Sequence, residues 1–305
     1  KQDGSVIKWE APDGRKITHA SANESQVVIA LGEDIIYFEL DSTNNLIQYE
    51  EFHNEKEITA VAIQPVPSGK IKSKFVALAD VESKIRVFMM NPAATNIFEL
   101  KSMQLALGKP VSLQLCDMAT SGQSTQLYAF VGTANGILQR VRISTTGEIL
   151  DAKAKFMGKA VRLFPVTVAG NPAIFCASSK SWLCYSWAGT TKLAPLSYTP
   201  LECVSSFSAE PCETGGLVGL SKDALCIFTP ENLADVFHQT EFPLRYTPRQ
   251  STVHPVTKHL IIIESQHNAY PRKEEEEEKT QLPLAMYGPP SRPGPGKWAS
   301  CIRVF

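Results

Sequence analysis

The sequence predicts an all-β protein built as a β-propeller of four-stranded, WD40-like blades. Three observations carry this prediction: a hairpin recurs along the chain, an alternating strand precedes each hairpin, and helical patterns are nearly absent. The turn centres of successive hairpins are roughly 43 to 53 residues apart, which is the period of propeller blades. A blade of four strands fits that length.

Each of six hairpins consists of a short apolar strand, a tight polar or glycine-containing turn and a second apolar strand. These strands are apolar on both faces, as expected where neighbouring blades cover a sheet from both sides. The turn of the sixth hairpin is expected near Ser265. In order, the hairpins are VVIALGEDIIYFEL from Val27, FVALADVESKIRVFMM from Phe75, LYAFVGTANGILQRVRI from Leu127, AIFCASSKSWLCYSW from Ala173, GLVGLSKDALCIFTP from Gly216 and HLIIIESQHNAY from His259.

The strands that precede the hairpins alternate between apolar and polar residues, which is typical of a strand with one buried face. They are ITHASA, ITAVAIQP, VSLQLCDM, VRLFPVTV, VSSFSA and STVHP. A fourth strand is clearest in LIQYEEF from Leu46. The alternative is a β-sandwich, whose strands recur roughly every 8 to 12 residues without a higher period of four strands. The observed period favours the propeller.

Composition excludes several classes of protein. The 305 residues carry 30 Lys and Arg against 31 Asp and Glu, a net charge of −1, which argues against a general polyanion binder. Apolar runs of about six to eight residues are far shorter than the roughly 20 that a membrane helix needs. Seven cysteines without a CxxC pair, in a chain without a signal-peptide pattern, indicate a reducing intracellular setting.

The sequence contains no recognisable catalytic or phosphate-binding motif, since GxxxxGK[ST], GxGxxG and GxSxG are all absent. His254 and His259 are five residues apart but lack a third ligand nearby, so strand-end histidines are favoured over a metal pair. Cys176 and Cys184 are expected to face each other across a hairpin as small buried apolar residues. We therefore expect neither a metal nor a cofactor.

Four carboxylates are expected at strand ends or turns, where such side chains usually bind their own backbone. A propeller enzyme such as a glycosidase would need two of them to converge about 5–10 Å apart, and no spacing singles out a pair. We therefore expect no catalytic residue. The four are Asp80, Asp117, Asp151 and Glu264.

Four residues are the candidates for contact with a partner. Arg245, Tyr246 and Arg249, in LRYTPR, form a short basic group with an aromatic ring that could stack on a base. The alternative for this group is a connection between blades. Trp182, in SWLCYSW, is the candidate for an exposed anchor, with packing between blades as its alternative. A second basic group, KIKSK from Lys70, is expected to be a solvated loop.

Four stretches resemble the Rse family of splicing proteins, which includes splicing factor 3b subunit 3, the 130-kDa spliceosome-associated protein. They are SQVVIALGEDIIYFELD, SWLCYSW followed by LAPLSYTPLE, FPLRYTPRQSTVHPVTKHLIIIESQHNAY, and GKWASCIRV. The wider family includes the large damaged-DNA-binding subunit and the 160-kDa cleavage and polyadenylation specificity subunit. The resemblance extends over nearly the whole chain.

The resemblance implies that the chain is an internal part of a longer protein with three propellers, seven-bladed when intact, and a helical C-terminal domain. Residues 1–243 would be most of the second propeller, with its first blade incomplete, and residues 244–305 the start of the third. A loop that is acidic and then rich in Pro and Gly is expected over residues 271–297, shorter than the charged insertion usual in the family. An incomplete ring is expected to leave one apolar blade face open.

The resemblance also implies a function. It indicates a non-catalytic, nuclear scaffold of the splicing factor 3b complex in the U2 small nuclear ribonucleoprotein, acting in branch-site recognition during pre-mRNA splicing. The implied partners are the HEAT-repeat subunit and the smallest subunit, with pre-mRNA contacted indirectly and no membrane or small-molecule substrate. The alternative is a propeller scaffold of a DNA-damage ubiquitin ligase or of mRNA 3′-end cleavage and polyadenylation, with direct nucleic-acid binding.

Overall fold

The computed structural model describes most of the chain. The chain divides into two compact units, Lys1–Phe237 and His238–Phe305. The loop predicted at 271–297 lies outside the described residues. Those residues are 8–43, 45–91, 97–120, 124–196, 200–209, 212–222, 224–229, 233, 244–267 and 298–304.

Strands make up nearly all the regular structure of the described residues, and the only other element there is a three-residue 3₁₀ turn at Pro12–Gly14. No described helix has the length and apolar character needed to cross a membrane. The strands of the first unit are β1 His19–Ala22, β2 Gln26–Leu31, β3 Asp34–Leu40, β4 Leu46–His53, β5 Ile58–Ile63, β6 Phe75–Asp80, β7 Lys84–Met90, β8 Phe98–Leu105, β9 Pro110–Ala119, β10 Thr125–Thr133, β11 Ile137–Ile143, β12 Ile149–Phe156, β13 Arg162–Val168, β14 Asn171–Ala177, β15 Ser181–Trp187, β16 Thr190–Pro195, β17 Cys203–Ala209, β18 Cys212–Ser221 and β19 Ala224–Phe228.

These strands form five antiparallel sheets in which the spatial order follows the chain order. The sheets are β1–β4, β5–β8, β9–β12, β13–β16 and the three-stranded β17–β19, and we call them blades 1 to 5. The first strands of successive blades lie against each other, β1 on β5, β5 on β9, β9 on β13 and β13 on β17. Sheets that meet through their first strands in chain order form the radial stack of a propeller, which confirms the predicted fold class.

Five of the six predicted hairpins are confirmed as the two central strands of the five blades. The strands predicted to precede them are the first strands of those blades, and a fourth strand is present in blades 1 to 4. These elements were predictable because each pairs with its neighbour in sequence through a short turn.

The sixth predicted hairpin is wrong. In the second unit, β20 Pro248–Val253, β21 Leu260–His267 and β22 Trp298–Val304 form one sheet in the order β20-β21-β22. Ser265, the predicted turn centre, lies inside β21 opposite Ser300 of β22. The polar residues near Ser265 belong to a strand because β22, from about thirty residues later in the chain, supplies its second neighbour.

The hydrophobic core of the first unit lies between blades. Leu78 of blade 2 shares a buried cluster with Tyr37 of blade 1, whereas the adjacent Ala79 shares one with Leu113 of blade 3. Successive side chains of a strand point to opposite faces of its sheet. Each central strand therefore contributes to two interfaces, which explains why these strands are continuous apolar runs.

Blades 3 and 4 approach each other closely at Gly132, near the end of β10. A Cβ atom at this position would lie 2.1 Å from the backbone oxygen of Val161. The backbone N–H of Val161 donates to the carbonyl of Thr133 at 3.1 Å. Because the crowded atom is a backbone oxygen, a side chain at Gly132 would force the two blades apart.

The outward faces of blades 1 and 5 differ. The face of blade 1 that points away from blade 2 is covered by Trp9, whose ring meets Phe38 edge-on at 5.2 Å. On blade 5, Leu220 pairs with Leu225, and Leu225 and Ile227 are 64% and 66% exposed. Among the described residues, blade 5 therefore presents exposed apolar side chains on this face.

Candidate interaction site

The predicted basic group lies on the sheet of the second unit, around the buried carboxylate of Glu264. Glu264 is in β21 and is fully buried. Its Oε2 accepts hydrogen bonds from the backbone N–H groups of Arg245 at 2.8 Å and Tyr246 at 2.9 Å. A carboxylate that accepts two backbone N–H groups is held by charge-assisted hydrogen bonds. Glu264 therefore fixes the segment that carries the candidate residues.

Three arginines make further contacts around Glu264 and the candidate residues. Arg303 of β22 places its Nε 2.9 Å from the other oxygen of Glu264, which compensates the buried charge. Arg249 donates from Nε to the Ser265 hydroxyl at 3.0 Å. The Arg245 guanidinium lies 5.4 Å from the centre of the Tyr246 ring. Arg249 lies in β20, whereas Arg245 and Tyr246 precede that strand and are held beside the sheet by Glu264; the two arginines are exposed.

Glu264 itself was predicted at a strand end or turn, and that prediction is wrong. It lies within β21, opposite Cys301 of β22. A single carboxylate after the apolar run LIII was the available signal, because a charged residue inside a buried strand needs a partner. Its partners come from distant parts of the sequence, so the sequence alone did not reveal them.

Trp182 of β15 lies between blades 3 and 4. The ring packs against the buried cluster that contains Cys176 and Leu138, and the ammonium group of Lys155 lies 4.6 Å from the ring centre. The side chain is only partly exposed. Trp182 therefore makes the inter-blade contact that the sequence offered as one alternative, and its role as a partner anchor stays a prediction.

The buried cysteines are slightly offset from the predicted arrangement. Cys184 pairs with Ile174, and Cys176 pairs with Trp182, so the two thiols are diagonal neighbours and do not face each other directly. Burial raises the pKa of Cys184 to about 11 and that of Cys116 to about 12. Such thiols are protonated near neutral pH and behave as apolar side chains.

The other carboxylates that were considered for catalysis have structural partners. Asp80 is almost fully buried and accepts a hydrogen bond from Arg86 at 2.7 Å. Asp117 accepts one from Gln64 at 3.0 Å, and Asp151 forms a 2.9 Å ion pair with Arg142. The contacts of Asp80 and Asp151 each join neighbouring strands of one blade, and that of Asp117 joins blade 3 to blade 2.

His254 and His259, weighed above as strand-end histidines or a metal pair, lie between β20 and β21. His254 and His259 flank a turn in which the His254 N–H donates to the His259 carbonyl at 2.9 Å. The ring nitrogen Nδ1 of His254 accepts a hydrogen bond from the Thr257 N–H at 3.1 Å. Within the described residues, no group of three or more His, Cys, Asp or Glu side chains could hold a metal ion.

The loop KIKSK was predicted to be solvated, and its Lys72 side chain is 39% exposed but also engaged with blade 1. Lys72 forms an ion pair with Glu39, whose side chain is 1% exposed. The Tyr37 hydroxyl donates to the same carboxylate at 2.5 Å. A buried carboxylate retains its charge only with such partners, so Lys72 joins the loop of blade 2 to the strand of blade 1. Lys70 and Lys74 are exposed.

The stacked four-stranded sheets define a β-propeller protein. The chain belongs to the RSE1/DDB1/CPSF1 family, whose second β-propeller model matches residues 1–230. The predicted family resemblance is thereby confirmed.

Several similar proteins are known. The chain is 33% identical to splicing factor 3B subunit 3 of Danio rerio and to spliceosome-associated protein 130 A of Arabidopsis thaliana, with 100% of this chain and 28% of each relative covered. It is 36% identical to pre-mRNA-splicing factor rse1 of Neurospora crassa, with 99% of this chain and 26% of that relative covered. The chain thus spans about a quarter of the length of these relatives.

Proposed function

We propose that this chain is part of a nuclear pre-mRNA splicing protein. The observation that carries the proposal is that relatives named as splicing factors align with 99 to 100% of the chain. An alignment of this extent includes all five blades and the sheet of the second unit. The proposal therefore applies to the chain as a whole and not to one blade.

Within such a protein, the chain acts as a non-catalytic scaffold. The stacked blades share buried hydrophobic clusters, so each sheet is packed against its neighbours. The buried carboxylates Asp80, Glu39 and Glu264 are engaged in ion pairs and hydrogen bonds that support the fold. A stiff body with exposed loops and edges loses little conformational entropy when a partner binds, which suits a scaffold.

The proposed domain assignment is most of a second, seven-bladed propeller in residues 1–243 and the start of a third in residues 244–305. The family match over residues 1–230 and the division of the chain after Phe237 support it. Sequence outside this region would supply the remaining blades. The exposed apolar face of blade 5 would be covered by the next blade of the same ring.

The proposed partners are the other subunits of the splicing factor 3b complex, including the HEAT-repeat subunit and the smallest subunit. The complex would act within the U2 small nuclear ribonucleoprotein at the branch site. The candidate contact residues within this chain are Arg245, Tyr246, Arg249 and Trp182. In this arrangement, pre-mRNA is contacted through the partners.

Affinity purification of the tagged full-length parent from nuclear extract tests the proposal. Recovery of the other splicing factor 3b subunits together with U2 RNA is the expected result, and an untagged parent is the control. Recovery of only ubiquitin-ligase subunits, or only cleavage and polyadenylation subunits, would overturn it.

Direct nucleic-acid binding is a second candidate function. It is supported by the exposed arginines Arg245 and Arg249 beside the Tyr246 ring. Salt-dependent binding of a single-stranded oligouridylate that weakens in the Arg245→Ala, Arg249→Ala double variant would support it. Lys258→Ala, in the same unit, is the matched control. No measurable binding at low salt would remove this candidate.

A further inference from the structure

A row of cations lies on one face of the two outer strands of blade 3. Arg140 of β11 is directly opposite Lys153 of β12, and Leu138 is directly opposite Lys155. Residues that are directly opposite in an antiparallel pair share a face of the sheet. That face points toward blade 4, since Leu138 packs in the cluster shared with blade 4 and Lys155 lies over Trp182.

The positive charge of this row is not balanced. Arg142 is paired with Asp151 at 2.9 Å. Lys153 is exposed, and Asp151, two residues before it on the same face of β12, is already paired with Arg142. Arg140 and Lys153 occupy directly opposite positions of the sheet, and like charges at such positions are unfavourable. An anion beside β12 would remove this repulsion.

β12 is also an open edge of its sheet. The strand order of blade 3 is β12-β11-β10-β9, so in the described part of the chain β12 has a strand on one side only. Its residues from Leu150 to Ala154 are all exposed. An edge strand presents unpaired N–H and C=O groups that can pair with an added strand, and lysines on it discourage pairing with neutral or basic segments.

We propose that β12 binds an extended acidic segment of a partner protein as an added fifth strand of blade 3. Lys153 and Lys155 lie two residues apart on one face, a spacing of about 6.7 Å that acidic side chains at alternate positions of an extended strand would match. The opposite face of β12 carries Ala152, Ala154 and Phe156, and Phe156 is 69% exposed. The segment that fits both faces therefore alternates Asp or Glu with apolar residues.

A nucleic acid fits this surface less well. The Tyr128 ring has the Arg140 guanidinium 5.2 Å from its centre, and the Trp182 ring has the Lys155 ammonium 4.6 Å from its centre. Both rings also pack against the buried cluster between blades 3 and 4. The cations and the packing leave less ring surface on which a base could stack.

The test uses the full 305-residue chain and a fluorescein-labelled peptide of about eight residues that alternates glutamate and valine. Fluorescence anisotropy at low salt should show saturable binding, and Lys153→Glu should weaken it about tenfold or more. Lys16→Glu makes the same charge change at an exposed position of the first unit and should leave binding unchanged. The Lys153→Glu chain is expected to fold, because the new carboxylate faces Arg140.

A second probe separates strand addition from attraction between charges alone. The same peptide with a methyl group on every backbone nitrogen keeps its carboxylates but has no N–H groups to donate to β12 from either edge, so it should not bind. Equal binding of the two peptides, or no binding of the unmodified one, would overturn the proposal. Binding of a single-stranded oligouridylate with the same dependence on Lys153, in place of the peptide, would also overturn it.

Discussion

Arg140 and Lys153 are directly opposite each other across β11 and β12, although both side chains are positively charged. We expect Lys153→Glu to raise the free energy of unfolding by about 0.2–1 kcal/mol, because it replaces a like-charge pair with an opposite-charge pair. Urea unfolding at low salt measures the change. Lys16→Glu should have no comparable effect, and a loss of stability in Lys153→Glu would contradict the expectation.

Gly132→Ala should separate blades 3 and 4. The added methyl group would lie 2.1 Å from the carbonyl oxygen of Val161, and we expect a loss of about 3 kcal/mol in the free energy of unfolding. Gly170→Ala is the control, since its φ of +74° is unfavourable for alanine but its surroundings are open; it should cost about 1 kcal/mol. Equal costs in the two variants would show that blade contact at Gly132 is unimportant.

Lys72→Met should destabilise the interface of blades 1 and 2. The change leaves the buried carboxylate of Glu39 with the Tyr37 hydroxyl but without its cation. We expect a loss of about 1–3 kcal/mol in the free energy of unfolding.

Adding Glu39→Gln to Lys72→Met should recover part of this loss, because a neutral amide still accepts the Tyr37 hydrogen bond without a buried charge. Lys70→Met, at an exposed position of the same loop, is the control and should be neutral. Urea unfolding of the four chains forms the comparison. A double variant less stable than Lys72→Met alone would contradict the role assigned to the buried charge.

Asp117 should make the stability of the chain depend on pH. Burial raises the pKa of its carboxyl above the ordinary value of 3.8, and the hydrogen bond from Gln64 opposes this only in part. The folded state then holds the proton more tightly than the unfolded state, so this group reduces stability as the pH rises from the ordinary pKa through the raised one.

We therefore expect Asp117→Asn to be more stable than the unaltered chain at neutral pH, with a difference that shrinks as the pH falls toward 3.8. The amide oxygen can still accept the Gln64 hydrogen bond. Urea unfolding over a pH series measures the difference, and Glu24→Gln, at an exposed position, is the control. A stability difference that grows on acidification would exclude the buried Asp117 carboxylate as its cause.

Glu264→Ala should release the segment that carries Arg245 and Tyr246. The change leaves two backbone N–H groups and the Arg303 guanidinium without their shared acceptor, which should raise the opening equilibrium of this segment about tenfold or more. The rate of trypsin cleavage after Arg245 measures it. Glu202→Ala, at an exposed position, is the control and should be cleaved at the rate of the unaltered chain. Cleavage of Glu264→Ala at that same rate would show that the carboxylate does not hold the segment.

The blades could be predicted because their pairing is local. In blade 1, Leu31 pairs with Asp34 across a two-residue turn, and the alternation of apolar residues on either side identifies both strands. The pairing of β21 with β22 could not be found in the same way. Its residues, such as Ser265 and Ser300, are separated by a segment with no pattern that specifies a register.

The candidate sites were harder to predict because their contacts join different blades. The exposure of Trp182 was ambiguous in the sequence since Lys155, which lies over its ring, belongs to another blade. The partner of Lys72 is Glu39, in the preceding blade. In contrast, Arg140, in RVR, and Lys153, in KAK, lie in two strands that follow each other in the sequence and pair directly. Their like charges could have been recognised from the hairpin register.

Because apolar side chains of the first unit are buried between blades, adjacent described blades share their hydrophobic cores. Tyr37 and Leu78 fill one shared space, and Ala79 and Leu113 fill another. An increase in volume on one blade must be matched by a decrease on the blade beside it, since these interfaces are close-packed. During divergence, accepted changes at such positions are therefore coupled between adjacent blades and independent between distant ones, so the sequence period can fade while the stack is preserved.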